Sequence, residues 1–283
     1  MRKIAVVPTL LTLGNGICGF VAIALASKIM PSETAAHNEF FFAISGWLII
    51  AAMVFDMLDG YVARLSKTAS KFGGELDSLC DAISFGVAPA FILLKLGPGW
   101  DRLPRLHLHE ILAGVAALYM VCTLLRLARF NVDNTPDPAS HKRFRGLPSP
   151  GAAGCIAALA VLRGEFPAKL AEYWEAYDLE SSRALVQQVV EVMAPLGAIT
   201  VALLMVSLLP YPHVTKQWVR RRRHVWDFIQ GLLFLFIVYV MREVALALVF
   251  WGYAIGIPLR YLFIKHVLKE SASPARLEDG LQR

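Results

Sequence analysis

The chain has 283 residues, 57% of them hydrophobic and only 18% charged, with a mean hydropathy of +0.54. That composition excludes an ordinary soluble domain, because several apolar runs reach the ~20 residues that span a bilayer. The net charge of +6 and the pI near 9.2 would suit a nucleic-acid partner, but the cations lie between apolar runs, where they orient spans, so no nucleic-acid partner is expected.

In chain order, a short basic start, MRKIAVV, precedes a first span over 7–29. This run is too long for a cleavable signal and lacks a convincing cleavage site, so it is expected to remain as a span. Pro8, Thr12 and Asn15 form a polar stripe at intervals of four and three. Asn15 there serves either helix–helix hydrogen bonding or a ligand. The second span, 39–64, would be about 39 Å long and exceeds a hydrocarbon core of roughly 30 Å, so its C-terminal end should reach the interface. The third, 73–96, contains Ser78, Ser84 and Pro89 and stops at Gly97-Pro98-Gly99. Pro89 should kink it.

The fourth span, 110–131, ends in RLARFN, with Arg126 and Arg129 three apart on one face. A polar loop with His141, Lys142, Arg143 and Arg145 follows, and GLPSPGAAG opens a fifth span over 147–162, its small residues suited to close packing. Residues 163–188 are acidic and aromatic, the composition of a helix lying in the interface. A sixth span covers 189–209 and is followed by Lys216 and four arginines at 220–223, a topology signal and a contact for anionic headgroups. Two more spans, 225–241 and 244–263, and a polar tail, 264–283, complete an all-α polytopic membrane protein of about eight helices. It reads as one integral membrane domain: a six-span core within 1–210, carrying the 163–188 insert, plus two added spans. With eight spans, one side of the membrane holds 20 of the 28 Lys and Arg and both termini. The positive-inside bias makes that side cytoplasmic. The scattered cysteines, Cys18, Cys80, Cys122 and Cys155, form no CxxC pair and point to buried thiols.

One stretch, 55–85, carries the chemistry. Asp56 and Asp59 close the second span, and Asp77 and Asp81 lie inside the third. A charge at the centre of a membrane helix costs about 2.5–3.5 kcal/mol, so four acids at this depth need a compensating partner. Helical spacing places Asp56, Asp59, Gly60 and Ala63 on one stripe and Gly73, Asp77 and Asp81 on another. A hairpin turning near Thr68 would bring the two acid pairs to one depth. Such an oxygen-rich cluster suits Mg²⁺ or Mn²⁺, as one ion or as two about 3.5–4 Å apart. Gly60, Ala63 and Gly73 leave room for a ligand, and Arg64 offers a fixed cation to phosphate.

The pattern Asp56-x2-Asp59-Gly60-x2-Ala63-Arg64-x8-Gly73-x3-Asp77-x3-Asp81 resembles the signature of the CDP-alcohol phosphotransferases without a departure. The resemblance implies a membrane enzyme that moves a phosphatidyl group from a CDP-linked lipid to an alcohol, with Asp56, Asp59, Asp77 and Asp81 holding two divalent ions and Asp81 acting as general base. It further implies a CDP-lipid site made of Asn15, Asp59, Gly60, Ala63, Arg64, Gly73 and Asp77. Members often form homodimers. A donor of this kind is met at the cytoplasmic face, in a bacterial case that of the inner membrane.

SKFGGELDSLCDAISFGVAPAF, RLARFN and FRGLPSPGAAG are similar to the phosphatidylserine synthases of bacterial and archaeal type. That similarity implies CDP-diacylglycerol as donor and L-serine as acceptor. A zwitterionic acceptor needs cations for its carboxylate, and Arg126, Arg129, Asn131, Lys142, Arg143 and Arg145 lie on the expected face. Glycerol phosphate, inositol phosphate or an archaeal ether-lipid donor would also be met by such charges. From a different class, intramembrane carboxylates also mark cation transporters, although these acids cluster at one interface rather than lining a path.

Overall fold

The computed structural model describes residues 6–66, 70–97, 108–133, 146–173, 178–209 and 242–271. All of the regular structure among them is helical: α1 (Val6–Ala26), α2 (Ala35–Leu65), α3 (Lys71–Asp81), a π-helical turn (Ala82–Val87), α4 (Ala88–Leu96), α5 (Leu108–Asp133), α6 (Ser149–Tyr173), α7 (Leu179–Val206) and α8 (Arg242–Ser271). Seven helical runs are long and apolar enough to cross a membrane, with α3, the π turn and α4 forming one of them. They match the expected spans one to six and eight. The expected seventh span, 225–241, lies outside the described residues, as does the turn that would join it to the eighth.

Local sequence sets the helix starts. Thr34 caps α2 by accepting from the His37 N–H at 3.3 Å, and Ser70 caps α3 by accepting from the Gly73 N–H at 3.0 Å. Asp178 caps α7 by accepting from the Ser181 N–H at 2.8 Å. Its hydrogen bonds with Ser181 hold the Asp178 carboxyl below the ordinary range. Gly146 adopts φ 88°, a conformation that favours glycine, and a side chain there would run into the Met205 and Ser207 carbonyls. Its N–H and that of Leu147 bond to the Leu209 and Leu204 carbonyls at 2.9 and 3.0 Å, tying the start of α6 to the end of α7.

The bundle is built around α6, whose residues Ala152, Ala153, Cys155, Ile156, Ala157, Ala158, Ala160 and Val161 are completely buried. Small residues let α2, α7 and α8 approach it closely. A Cβ on Gly46 of α2 would lie 2.7 Å from the Ala157 carbonyl oxygen. A Cβ on Gly154 would run into the Phe250 ring of α8, so the close packing expected of GLPSPGAAG is realised. All four cysteines are free, and Cys80, Cys122 and Cys155 are buried.

The segment 163–188 departs from expectation. It forms no separate helix among the described residues, because α6 runs unbroken to Tyr173 and α7 starts at Leu179. Its charges are paired between helices instead. Arg183 Nε and Nη2 bond Glu39 at 2.9 and 3.2 Å, and Trp47 Nε1 donates to Glu165 Oε1 at 2.9 Å. Lys169 Nζ lies 2.9 Å from the fully buried Glu243. A composition that reads as interfacial thus serves in part as a polar clamp joining α2, α6, α7 and α8, because Arg163, Glu165, Lys169 and Arg183 each have an opposite partner across a helix boundary.

The third span also differs in detail. Pro89 has no N–H to give the Phe85 carbonyl four residues earlier. The helix answers with the π turn, in which the Ala88 N–H bonds to Ile83 O, five residues back. The Phe85 carbonyl instead accepts from the Tyr119 hydroxyl of α5 at 3.0 Å, with both side chains completely buried. At the expected interruption the structure has a π turn whose freed carbonyl a side chain satisfies, a feature frequent at functional sites.

Candidate active site

The four aspartates meet at one end of the bundle, through an arrangement that differs from a simple hairpin. The α2 and α3 backbones make little contact with each other; α1 packs against both. Glycines on α1 make this possible. A Cβ on Gly14 would lie 3.1 Å from Phe55 of α2, one on Gly16 would lie 3.0 Å from Cys80 Sγ of α3, and one on Gly19 would lie 2.5 Å from Ser84 Oγ of the π turn. The α1 helix therefore acts as a narrow wedge that holds the acid-bearing helices apart while their carboxylates still converge.

Carboxylate oxygens of Asp56, Asp59 and Asp77 all lie within 4.8 Å of one another. At an effective dielectric of about 20, unit charges at that distance repel by roughly 3.5 kcal/mol per pair. Asp59 Oδ2 and Asp77 Oδ1 are buried with no hydrogen-bond partner. Converging, under-partnered carboxylate oxygens are what a hard divalent cation requires, so these residues fit such an ion. Asp81 stands one turn beyond Asp77, within electrostatic reach of Asp56, Asp59 and Asp77. Its Oδ1 accepts from Asn15 Nδ2 at 2.9 Å, while Ser84 Oγ donates to the Asn15 carbonyl at 2.9 Å. Asn15 is completely buried and its Oδ1 has no partner.

The remaining expected positions surround this centre unevenly. Gly60 and Arg64 lie on the same stripe as the α2 acids, and the Arg64 guanidinium folds back over Gly60, where an added Cβ would meet Nη1 at 3.4 Å. Ala63 is half-buried and Arg64 exposed. The Gly73 N–H is engaged by the Ser70 cap, which fixes the mouth of α3. Asn131 Nδ2 donates to Ser78 Oγ at 2.9 Å, linking α5 to the residue after Asp77. Ser78 in turn donates to the Gly74 carbonyl at 3.1 Å, a structural bond rather than a nucleophile's.

On α5, Arg126 Nη1 donates to Ser149 Oγ at 2.9 Å, but its Nε is buried and has no hydrogen-bond partner. This guanidinium lies within electrostatic reach of Asp81 and of Tyr253 of α8. Arg129 is exposed. Lys142, Arg143 and Arg145 lie outside the described residues. Sequence reasoning missed Ser149 and Tyr253. Ser149 sits in the quoted GLPSPGAAG as a small residue among small residues, and Tyr253 is one aromatic in an apolar span, so neither carries a pattern of its own.

A family model for CDP-alcohol phosphatidyltransferase matches residues 5–215. The chain belongs to this family. All four aspartates, Asn15 and Arg126 lie within the matched residues, whereas Tyr253 lies beyond them. Among curated relatives, the chain is 33% identical over 260 residues to a Helicobacter pylori protein named CDP-diacylglycerol–serine O-phosphatidyltransferase, covering 91% of each chain. It is 38% identical over 154 residues to the Methanocaldococcus jannaschii protein of the same name, covering 54% of this chain and 59% of that one. The Saccharomyces cerevisiae protein of that name is 34% identical over 157 residues, covering 53% and 51%. Family membership leaves the cation-transporter alternative without support.

Proposed function

We propose that this chain transfers the phosphatidyl group of CDP-diacylglycerol to the hydroxyl of L-serine, giving phosphatidylserine and CMP. In the reaction the serine oxygen forms a bond to the lipid-side phosphorus, the pyrophosphate P–O bond breaks, and CMP departs with that bond's electron pair. The observation that carries the reading is the convergence of Asp56, Asp59 and Asp77 within 4.8 Å beside an Asp81 held by Asn15.

Asp56, Asp59, Asp77 and Asp81 would hold Mg²⁺ or Mn²⁺, two ions in this reading, which when bound supply charge neutralisation to the pyrophosphate and to the leaving CMP. Asp81 is the general base. Asn15 occupies its Oδ1, which leaves Oδ2 to take the serine proton. Gly60, Ala63 and Gly73 give the cytidine end of the donor room beside the acids, Arg64 steadies phosphate, and the unpartnered Oδ1 of Asn15 faces the donor site. Arg126 anchors the serine carboxylate through its unpartnered Nε, with Ser149 fixing the guanidinium plane. Arg129 and Asn131, further along α5, extend that polar wall. The topology consistent with this assignment has eight spans, cytoplasmic termini and a cytoplasmic reaction centre in a bacterial inner membrane.

The deciding experiment measures CMP release by purified protein with CDP-diacylglycerol and Mn²⁺, comparing L-serine, glycerol 3-phosphate and inositol phosphate, with Asp81→Asn in parallel. Serine-dependent release that disappears in Asp81→Asn is expected. Release with another alcohol alone would overturn serine as acceptor while leaving the reaction class in place.

A further inference from the structure

The end of the bundle remote from the aspartates carries a second polar site. A cavity of ≈ 170 Å³ opens there between the chain after α1, α2, α4, α6 and α7, and its polar wall comprises Asn38, Lys95, Arg163, Gln187 and Glu191. Asn38 and Asp59 lie on the same helix, separated by about 31 Å at 1.5 Å per residue, roughly one hydrocarbon thickness. The cavity therefore sits at headgroup depth in the leaflet opposite the reaction centre.

Its hydrogen bonds are incompletely made. Arg163 Nη2 donates to Gln187 Oε1 at 3.1 Å, but Nη1 is buried and makes no hydrogen bond. The nearby carboxylate, Glu39, is 3.8 Å from Nη1 and is already gripped by Arg183 at 2.9 Å. Lys95 Nζ donates to the Ile29 carbonyl at 3.0 Å, which uses one of its three N–H groups. Glu191 lies on the α7 wall, where its Oε1 accepts from Gln187 Nε2 at 2.6 Å. Arg163 and Lys95 thus share a small space with Glu191, which acts on Arg163 electrostatically, and a buried guanidinium N–H without an acceptor is costly unless a ligand supplies one.

We propose that this cavity binds the headgroup of a zwitterionic phospholipid bearing a primary ammonium, with the phosphate on Arg163 and Lys95 and the ammonium on Glu191. The planar guanidinium fork suits phosphate oxygens. A volume well below the roughly 300–1,000 Å³ of drug-sized pockets admits a headgroup while its acyl chains stay in the bilayer. Glu191 selects a zwitterion over a plain anion, because an anion alone would meet an opposing carboxylate.

The test places the full chain in nanodiscs of equal parts phosphatidylethanolamine, phosphatidylglycerol and phosphatidylcholine with identical acyl chains, and reads retained lipid by native mass spectrometry. Wild type should retain phosphatidylethanolamine over phosphatidylcholine. Glu191→Gln should cut that preference by about fivefold, and Lys95→Gln should cut retention of phosphatidylethanolamine by a similar factor, each equivalent to about 1 kcal/mol. Both variants should keep releasing CMP, since neither residue belongs to the catalytic centre. In a competition arm on wild type, soluble phosphoethanolamine should displace the retained lipid and inorganic phosphate should not. Unchanged preference in both variants, preferential retention of phosphatidylglycerol, or equal displacement by inorganic phosphate would overturn the assignment. The wild-type competition decides the matter even where a variant does not fold.

Discussion

Asn15→Leu is the sharpest perturbation of the centre. The change keeps the side-chain volume close and removes the carboxamide, and with it the donor to Asp81 Oδ1 at 2.9 Å, while the Ser84 bond to the Asn15 backbone carbonyl survives. A hydrogen bond to an ionised group contributes about 1.5–3 kcal/mol. If that energy serves to aim Asp81 at the serine hydroxyl, its loss appears in the transition state and kcat falls by about 10- to 150-fold at 1.36 kcal/mol per decade. Steady-state CMP release with CDP-diacylglycerol and serine each varied separates the possibilities. A lower kcat with the KM for serine within about twofold supports positioning of the base, and any rise in the KM for CDP-diacylglycerol beside it reports the lost Oδ1. A raised KM for CDP-diacylglycerol with unchanged kcat would refute this reasoning and return Asn15 to a purely donor-binding role.

Three further outcomes follow from the same geometry. EDTA should abolish CMP release, and Asp77→Asn, which removes one of the three converging carboxylates, should raise the Mn²⁺ concentration for half-maximal release by at least about tenfold; an unchanged Mn²⁺ response would argue against metal at this site. Arg126→Gln should raise the KM for serine by about 30-fold or more, the equivalent of 2 kcal/mol, and leave the KM for CDP-diacylglycerol unchanged. Tyr119→Phe leaves the buried Phe85 carbonyl without its donor at a cost of about 1–3 kcal/mol, so its thermal midpoint in detergent should fall and its activity should fall with it.

The sequence displayed the spans and the acids well, because both rest on local periodicity. Asp56 and Asp59 share a face by spacing alone, as do Asp77 and Asp81, and apolar runs mark helices regardless of how they pack. What it concealed is non-local. That α1 would separate α2 from α3 depends on glycines meeting Phe55, Cys80 and Ser84, residues 41, 64 and 65 positions away in the chain. Residues 163–188 looked interfacial because composition reports charge but not pairing, and the partners of Arg183, Glu165 and Lys169 lie on other helices. Pro89 announced an interruption without revealing its form, since the hydroxyl that completes the π turn comes from α5.

That hydroxyl also sets what can move. Tyr119 sits on the helix that carries Arg126, and Phe85 sits one turn past Asp81, so a single buried bond of 3.0 Å fastens the helix of the proposed serine anchor to that of the proposed base. A shift of α5 along its axis would drag the base with it, and the two would travel as one rigid jaw. The opposing jaw is α2, which brings Asp56, Asp59 and Arg64 and touches α3 only slightly. Because α1 packs against both α2 and α3, any widening between the two acid pairs has to carry α1 with it.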